Sequence, residues 1–72
     1  MQMSPALFMG ELRAAMRKNG VSQYALARAL DVPQTYVSRW MRGRAPRMET
    51  RKRMWEAFER LLKERDEWNT RR

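Results

Sequence analysis

The sequence predicts an all-α fold, a bundle of four to five helices of which the last is long. Over the first two thirds of the chain, short segments with apolar residues at helical spacing alternate with turn signals such as Asn19-Gly20 and Pro33. From Met48 onward no Gly or Pro occurs and strong helix formers continue, so a helix is expected over about residues 48–68. With 72 residues, the chain is expected to form a single domain over residues 1–72.

The first helix is predicted to run from Pro5 to Lys18. Ser4 can cap its free N–H groups, Pro is favoured at the first helical position, and Asn19-Gly20 is a stop signal. Gly10 lies inside this helix and costs up to about 1 kcal/mol relative to Ala, unless another backbone packs close to it. Five residues make up the expected core stripe of the helix: Leu7, Phe8, Leu12, Ala15 and Met16.

The segment 21–44 is expected to form two short helices joined by a tight turn. Ser22 can cap the first of them, and Val21 and Leu26 have the spacing of a hydrophobic staple. The apolar stripe of this helix stops at Asp31-Val32-Pro33, because Asp tolerates the left-handed conformation and Pro disfavours helix at the residue before it. The second helix is expected to start directly after the proline.

This second helix has two different halves when its residues are placed at about 100° intervals. The half expected to pack carries Tyr36, Val37, Trp40 and Met41, and the other half carries Gln34, Thr35, Ser38, Arg39 and Arg42. The polar half has the chemistry of base reading, since Gln pairs with adenine, Arg pairs with guanine and a Thr methyl contacts the thymine methyl. A solvated polar face is the alternative, but the capped helix and turn that precede it favour a DNA-binding helix-turn-helix.

Several short motifs stand in register between residues 7 and 62: Ser22-Gln23, Leu26-Ala27, Val32, the run from Val37 to Trp40, Arg42-Gly43-Arg44, Pro46 and Glu49-Thr50. Together they resemble the phage repressor and Cro-like, XRE-type, helix-turn-helix regulators. The resemblance implies a lambda-repressor-like bundle that binds double-stranded DNA.

The resemblance also implies roles for particular residues. Three residues match the base-reading positions of the family: Gln34, Thr35 and Arg39. Gln23 and the residues around Arg42 and Arg44 match its contacts to the DNA backbone. Ser38 on the same helix and Arg47 in the following loop are expected to contact the DNA backbone as well.

Three positions depart from the family pattern. Asp31 stands where many members have Gly, and Pro33 stands where many have a Ser or Thr cap, so a poorer cap is expected for the reading helix. Met41 replaces a common Glu, whose usual Arg partner on the first helix falls at about Met16. This pair of methionines predicts a buried apolar contact in place of an ion pair.

The net charge of +8 comes from 16 Lys and Arg against 8 Asp and Glu, and it is unevenly distributed. Residues 33–53 carry seven basic residues and one acidic residue, whereas residues 54–72 carry five of each. The positive excess therefore coincides with the predicted reading helix and the residues after it. Such a local field attracts polyanions and adds a salt-dependent, sequence-independent term to DNA binding.

The last helix keeps its apolar spacing beyond the length that a small core requires. Met54, Trp55 and Phe58 are expected to cover the core. An interface with a second copy is expected to contain Leu61, Leu62 and Trp68. The alternative is that the two leucines fold back onto the first helix and that the tryptophan is merely exposed.

Other classes of function find little support in the composition. Because the chain has no His, no Cys and no Gly-rich loop, neither an enzyme nor a cofactor nor a metal is expected. No apolar stretch reaches 18 residues, and no basic segment precedes a long apolar run, so neither a membrane span nor a signal peptide is expected. We expect the protein to be cytoplasmic and to associate with the nucleoid when it is bound to DNA. No small-molecule ligand is expected.

The predicted function is sequence-specific transcriptional regulation, by a phage or mobile-element repressor that controls its own operon. Its expected partners are an inverted-repeat operator and a second copy of the chain. Two alternatives remain open. The chain could be an antitoxin or adaptor whose last helix docks on a protein, or a protein that binds RNA or shapes DNA, as a recombination directionality factor does.

Overall fold

Four α-helices make up most of residues 4–70, the part of the chain that the computed structural model describes; side chains are described for residues 4–67. They are α1 (Pro5–Asn19), α2 (Gln23–Leu30), α3 (Gln34–Met41) and α4 (Met48–Thr70). The predicted all-α class and the long last helix are confirmed, with α1 one residue longer than predicted. In residues 4–70, no helix combines the length and the apolar character needed to span a bilayer.

Helix α1 begins and ends as its sequence predicts. The Ser4 hydroxyl accepts a hydrogen bond from the Leu7 N–H at 3.2 Å, and Pro5 occupies the first helical position. At the other end Gly20 adopts the left-handed conformation with φ of 68°, which lets the Val21 N–H reach the Met16 carbonyl at 2.9 Å. The chain therefore reverses direction with the last carbonyls of α1 satisfied.

Helix α2 is closed in the same way at both ends. The Ser22 hydroxyl accepts from the Ala25 N–H at 3.0 Å, as predicted for its cap. Asp31 takes the left-handed conformation with φ of 60°, and the Val32 N–H then donates to the Ala27 carbonyl at 3.0 Å. The prediction of a left-handed turn at Asp31 is confirmed, and this turn sets the direction in which α3 leaves α2.

The core is one cluster to which all four helices contribute. Helix α2 packs against α3 and α4, and α1 packs against the same two helices from the other side. Four side chains at the centre are almost completely buried: Leu12, Leu26, Val37 and Met54. The rest of the cluster comprises Met9, Met16, Ala27, Leu30, Met41, Ala57 and Phe58.

The two methionines that replace the ion pair of the family are both buried in this cluster. Met16 on α1 is 3% exposed and Met41 on α3 is 7% exposed. A charged pair at this place would have to be desolvated, whereas thioether side chains fill the irregular space between helices at low cost. The predicted replacement of an ion pair by apolar packing is therefore confirmed.

The predicted core stripe of α1 was wrong at one residue. Leu7 is 56% exposed, while Met9, which the prediction left out, is buried. Counted at about 100° per residue, Leu7 lies on the opposite side of α1 from the buried Leu12. Phe8 and Ala15, the other members of the predicted stripe, are half-buried and pack against the core cluster.

Two arginines of α4 connect this helix to the ends of α1 and α2. Arg60 donates from Nη2 to the Ala29 carbonyl at 3.1 Å, and Arg65 donates from Nη1 to the Asn19 carbonyl at 2.6 Å. Both carbonyls lie at helix C-termini, where positive charge is favoured. The second half of α4 is thus used to hold the carboxyl ends of two earlier helices.

We predict that Gly10→Ala stabilises the protein. A methyl group added at Gly10 would meet no atom within 4 Å apart from its chain neighbours and the backbone of its own helix, and the residue is exposed inside α1, so neither close packing nor backbone conformation requires glycine there. Ala should raise the free energy of unfolding by about 0.5 to 1 kcal/mol. Thermal melting followed by circular dichroism measures the change, and an unchanged or lower midpoint would contradict the prediction.

Candidate nucleic-acid interface

The outer face of α3 carries the three residues that the sequence predicts to read bases. Gln34, Thr35 and Arg39 are all exposed, and their side chains make no hydrogen bond within the described part of the chain. At about 100° per residue, Thr35 and Arg39 lie on the side of α3 away from the buried Val37, whereas Gln34 is exposed because it stands at the first position of the helix. Their donors and acceptors are therefore available to a ligand that lies along this face.

Tyr36 belongs to the exposed surface of α3, although the sequence analysis placed it on the packing half. It is 50% exposed, and its ring meets Trp40 edge-on with 6.2 Å between ring centroids. At about 100° per residue Tyr36 lies roughly 60° from Arg39, so its position at the edge of the polar face could have been predicted. The division of the helix into two halves had grouped it with Trp40, about 40° away, on the half expected to pack. Trp40 is half-buried and packs against the core cluster, as predicted.

Helix α3 has no side-chain cap at its start, as the departure at Pro33 predicts. Pro33 occupies the cap position with extended backbone and offers no side-chain acceptor. Its carbonyl instead accepts from the Tyr36 N–H at 3.0 Å, which closes the first turn tightly. The N-terminus of α3 is consequently held by the turn before it and by packing.

Gln23 and Ser38 form a hydrogen bond that joins α2 to α3. The Ser38 hydroxyl donates to Oε1 of Gln23 at 2.9 Å, and both side chains are half-buried. This contact uses only the oxygen of the Gln23 amide, so its NH₂ group can still donate to an outside acceptor. The sequence analysis named both residues as backbone contacts but did not predict that they bond to each other, because they are 15 residues apart in the chain.

The first residues of the loop 43–47 are hydrogen-bonded to the end of α3. The N–H groups of Gly43 and Arg44 donate to carbonyls of α3, those of Trp40 at 3.3 Å and Arg39 at 3.4 Å. Gly43 has φ of 124°, a conformation that side chains rarely adopt. Ala45 then packs against the core cluster, and the arginines on either side of it remain exposed.

Exposed positive charge continues from α3 through this loop into α4. The exposed basic residues of the segment are Arg39, Arg42, Arg44, Arg47, Lys52 and Arg53. Residues 33–53 contain one acidic residue, Glu49, which lies in the first turn of α4. An extended polyanion that lies along α3 would therefore meet cations on the following loop as well.

One further exposed cation, Arg28, lies on α2 and was not predicted as part of a site. Its Nη1 donates to the Tyr24 hydroxyl at 3.2 Å, and its guanidinium lies 5.9 Å from the centre of the Tyr24 ring. This hydrogen bond raises the pKa of Arg28. The i to i+4 spacing of the pair on a helix is the sequence signal that could have indicated it.

The residues expected at an interface between two copies are only partly described. Leu61 and Leu62 are half-buried on α4, and Leu62 packs against the core cluster. Trp68, the third residue of this prediction, lies outside the residues whose side chains the structure describes. Part of the surface of Leu62 is thus already used within one copy.

The chain belongs to the helix-turn-helix family, whose model matches residues 12–62. The matched segment contains α2, α3, the loop after them and most of the core. No curated protein and no solved structure matches the chain. Membership of this XRE-type family identifies the chain as a sequence-specific, double-stranded DNA-binding regulator.

Proposed function

We propose that this helix-turn-helix regulator is a transcriptional repressor that binds an inverted-repeat operator as a homodimer and controls its own operon. The observation that carries the proposal is the exposed polar face of α3, which is continuous with a row of exposed arginines. A phage or mobile-element source, and repression in particular, rest on the family resemblance. Because its target is DNA, the protein acts in the cytoplasm, in contact with the nucleoid.

In this proposal α3 lies in the major groove and three of its side chains contact base edges. Gln34 has the bidentate geometry for adenine, Arg39 has that for guanine, and the Thr35 methyl can contact thymine. Their exposure and their freedom from internal hydrogen bonds support these roles. Each good bidentate contact contributes about 1–3 kcal/mol of discrimination against a wrong base.

Contacts to the DNA backbone are assigned to residues at both sides of α3. On one side the NH₂ group of Gln23 can donate to a phosphate, while its bond with Ser38 holds the amide in place. Ser38 has a single O–H donor, so it can donate to a phosphate only by giving up its bond to Gln23. On the other side Arg42, Arg44 and Arg47 are exposed at the end of α3 and in the loop. Phosphate contacts of this kind fix the orientation of the reading helix and carry most of the salt dependence.

The homodimer follows from the small number of bases that one helix can read. Regulators of this type gain affinity by binding two half-sites about one helical turn apart, so the operator has the two-fold symmetry of the dimer. We assign the interface to the second half of α4, with Leu61, Leu62 and Trp68. The half-exposure of Leu61 supports this assignment, since it is not part of the core packing.

Footprinting on the DNA that flanks the protein's own gene tests the proposed function. Protection of an inverted repeat whose half-sites lie about 10 base pairs apart is expected, and it should survive excess random DNA. Binding that spreads along any sequence and disappears with competitor would instead identify an architectural protein. Protection without any effect on transcription of the adjacent gene would contradict the role as repressor.

We predict that Arg39→Ala weakens binding to the protected site by about 1–3 kcal/mol and relaxes the preference at one base pair. Binding to random DNA should change much less, because the lost contact is to a base. Fluorescence anisotropy with the two duplexes measures both affinities. An equal loss on specific and random DNA would show that Arg39 contacts phosphate.

We predict that Leu61→Glu and Trp68→Glu leave the protein helical but make it monomeric. Operator binding should then weaken more than about tenfold, or about 1.4 kcal/mol. Lys63→Ala, an exposed neighbour whose loss changes the charge by the same amount as Leu61→Glu, is the control and should remain dimeric. Sedimentation that finds the unmodified protein monomeric at micromolar concentration, both free and on a single operator, would defeat the assignment.

A further inference from the structure

Arg51 differs from the other arginines of the basic segment because its guanidinium is used inside the protein. Its Nη1 donates to the Pro46 carbonyl at 2.6 Å, and its Cζ lies 6.0 Å from the centre of the Phe8 ring. The residue is half-buried, whereas its neighbours Lys52 and Arg53 are exposed. Arg51 thus connects the first turn of α4, the loop before it and helix α1.

The position of Arg51 in α4 gives no other reason for a cation there. It lies at the start of the helix, where the helix dipole disfavours positive charge. Its own backbone N–H bonds to the Arg47 carbonyl at 2.9 Å, as any residue at this place would do. The two contacts of its side chain, with the Phe8 ring and with the Pro46 carbonyl, are therefore the features that an arginine provides at this position.

The Pro46 carbonyl is the point at which the loop backbone needs support. Hydrogen bonds to α3 hold the loop as far as the Arg44 N–H, and α4 begins to hold it again at the Arg47 carbonyl. Between these two points, within the described part of the chain, the loop backbone has one hydrogen bond, the one from Arg51. The charged side chains of Arg44 and Arg47 leave the backbone on either side of this bond.

We propose that Arg51 is a positioning residue for DNA binding: it fixes the loop 43–47 so that Arg44 and Arg47 reach the DNA backbone together. This inference rests on the proposed function, in which these two arginines contact phosphates. Arg51 acts through them and makes no phosphate contact itself. The bond to Pro46 and the contact with the Phe8 ring set the plane of its guanidinium, and the experiment below distinguishes this positioning role from a phosphate contact through its remaining donors.

The experiment measures binding to a mixed-sequence duplex of about 20 base pairs, because backbone contacts need no operator. Arg51→Ala is made in the unmodified chain and in an Arg44→Ala/Arg47→Ala background, and affinity is followed against salt concentration. The background variant should lower the salt slope by about two units, since each phosphate contact contributes about 0.9. Lys52→Ala, an exposed neighbour with the same loss of charge, is the matched control.

In the unmodified chain we expect Arg51→Ala to weaken binding about tenfold and to lower the salt slope by about one unit or more. In the background without the two loop arginines it should change affinity by less than about twofold. Lys52→Ala should have a small effect in either chain. Nuclear magnetic resonance of the free protein should show the amide signals of Gly43, Arg44 and Arg47 moving in Arg51→Ala but not in Lys52→Ala.

Two results would overturn the inference while the proposed function stands. An equal loss from Arg51→Ala in both chains would mean that it contacts phosphate itself, and no loss in either chain would mean that the loop does not need it. If removing Arg44 and Arg47 leaves the salt slope unchanged, their proposed role fails and the inference fails with it. Should Arg51→Ala unfold the protein, the same comparison is made with Arg51→Lys, or in a Gly10→Ala background if that variant proves stabilising.

Discussion

The burial of one side of α3 is the constraint on which the rest of the structure depends. Val37 is fully buried and Met41 nearly so, among core residues from the other three helices. A helix of eight residues has almost no stability of its own in water, so α3 exists because this side is packed. The direction of its opposite side is thereby fixed, and that side carries the polar residues proposed to meet DNA. A change in the core under α3 would therefore rotate or melt the exposed side of the helix as well.

Two left-handed residues turn the chain onto this core. Gly20 and Asp31 follow the ends of α1 and α2 with φ of 68° and 60°, and in both cases the next N–H bonds back to a carbonyl five residues earlier. The residue after each turn, Val21 or Val32, packs against the core cluster. Each of the two connections thus satisfies the backbone groups at a helix end and packs one valine against the core. The left-handed conformation at the second turn has a higher conformational free energy for Asp than it would have for Gly. Asp is nevertheless tolerated there, because its short polar side chain can form local hydrogen bonds.

The sequence was sufficient for the helices and their ends, because caps, turn residues and apolar spacing are local signals. Ser4, Ser22 and Asp31 each act where their chemistry predicts. Most of what the sequence analysis missed depends on which residues become neighbours in space. Leu7 lies on the opposite side of α1 from Leu12, which its spacing would have shown, whereas Tyr36 belongs to the packing half of α3 by spacing and is 50% exposed at the edge of that half, against Trp40. The bond between Gln23 and Ser38, and that between Arg51 and Pro46, depend on how helices and loop meet, and no local pattern contains this information.

The arginines of this chain show why net charge is a poor guide to a binding surface. Arg60 and Arg65 donate to carbonyls at the ends of α2 and α1, and Arg51 holds a loop carbonyl beside an aromatic ring. Their charges still add to the field that attracts a polyanion, since that field depends on distance and not on hydrogen bonding. Direct contact, however, requires donors that are free and that point outward together. A guanidinium has five N–H donors in a fixed plane, so an internal bond sets the plane and with it the directions in which the other donors can be used. In this fold, Arg51, Arg60 and Arg65 bond to backbone carbonyls, whereas the exposed arginines of α3 and the loop, which are proposed to contact DNA, make no side-chain hydrogen bond within the described residues.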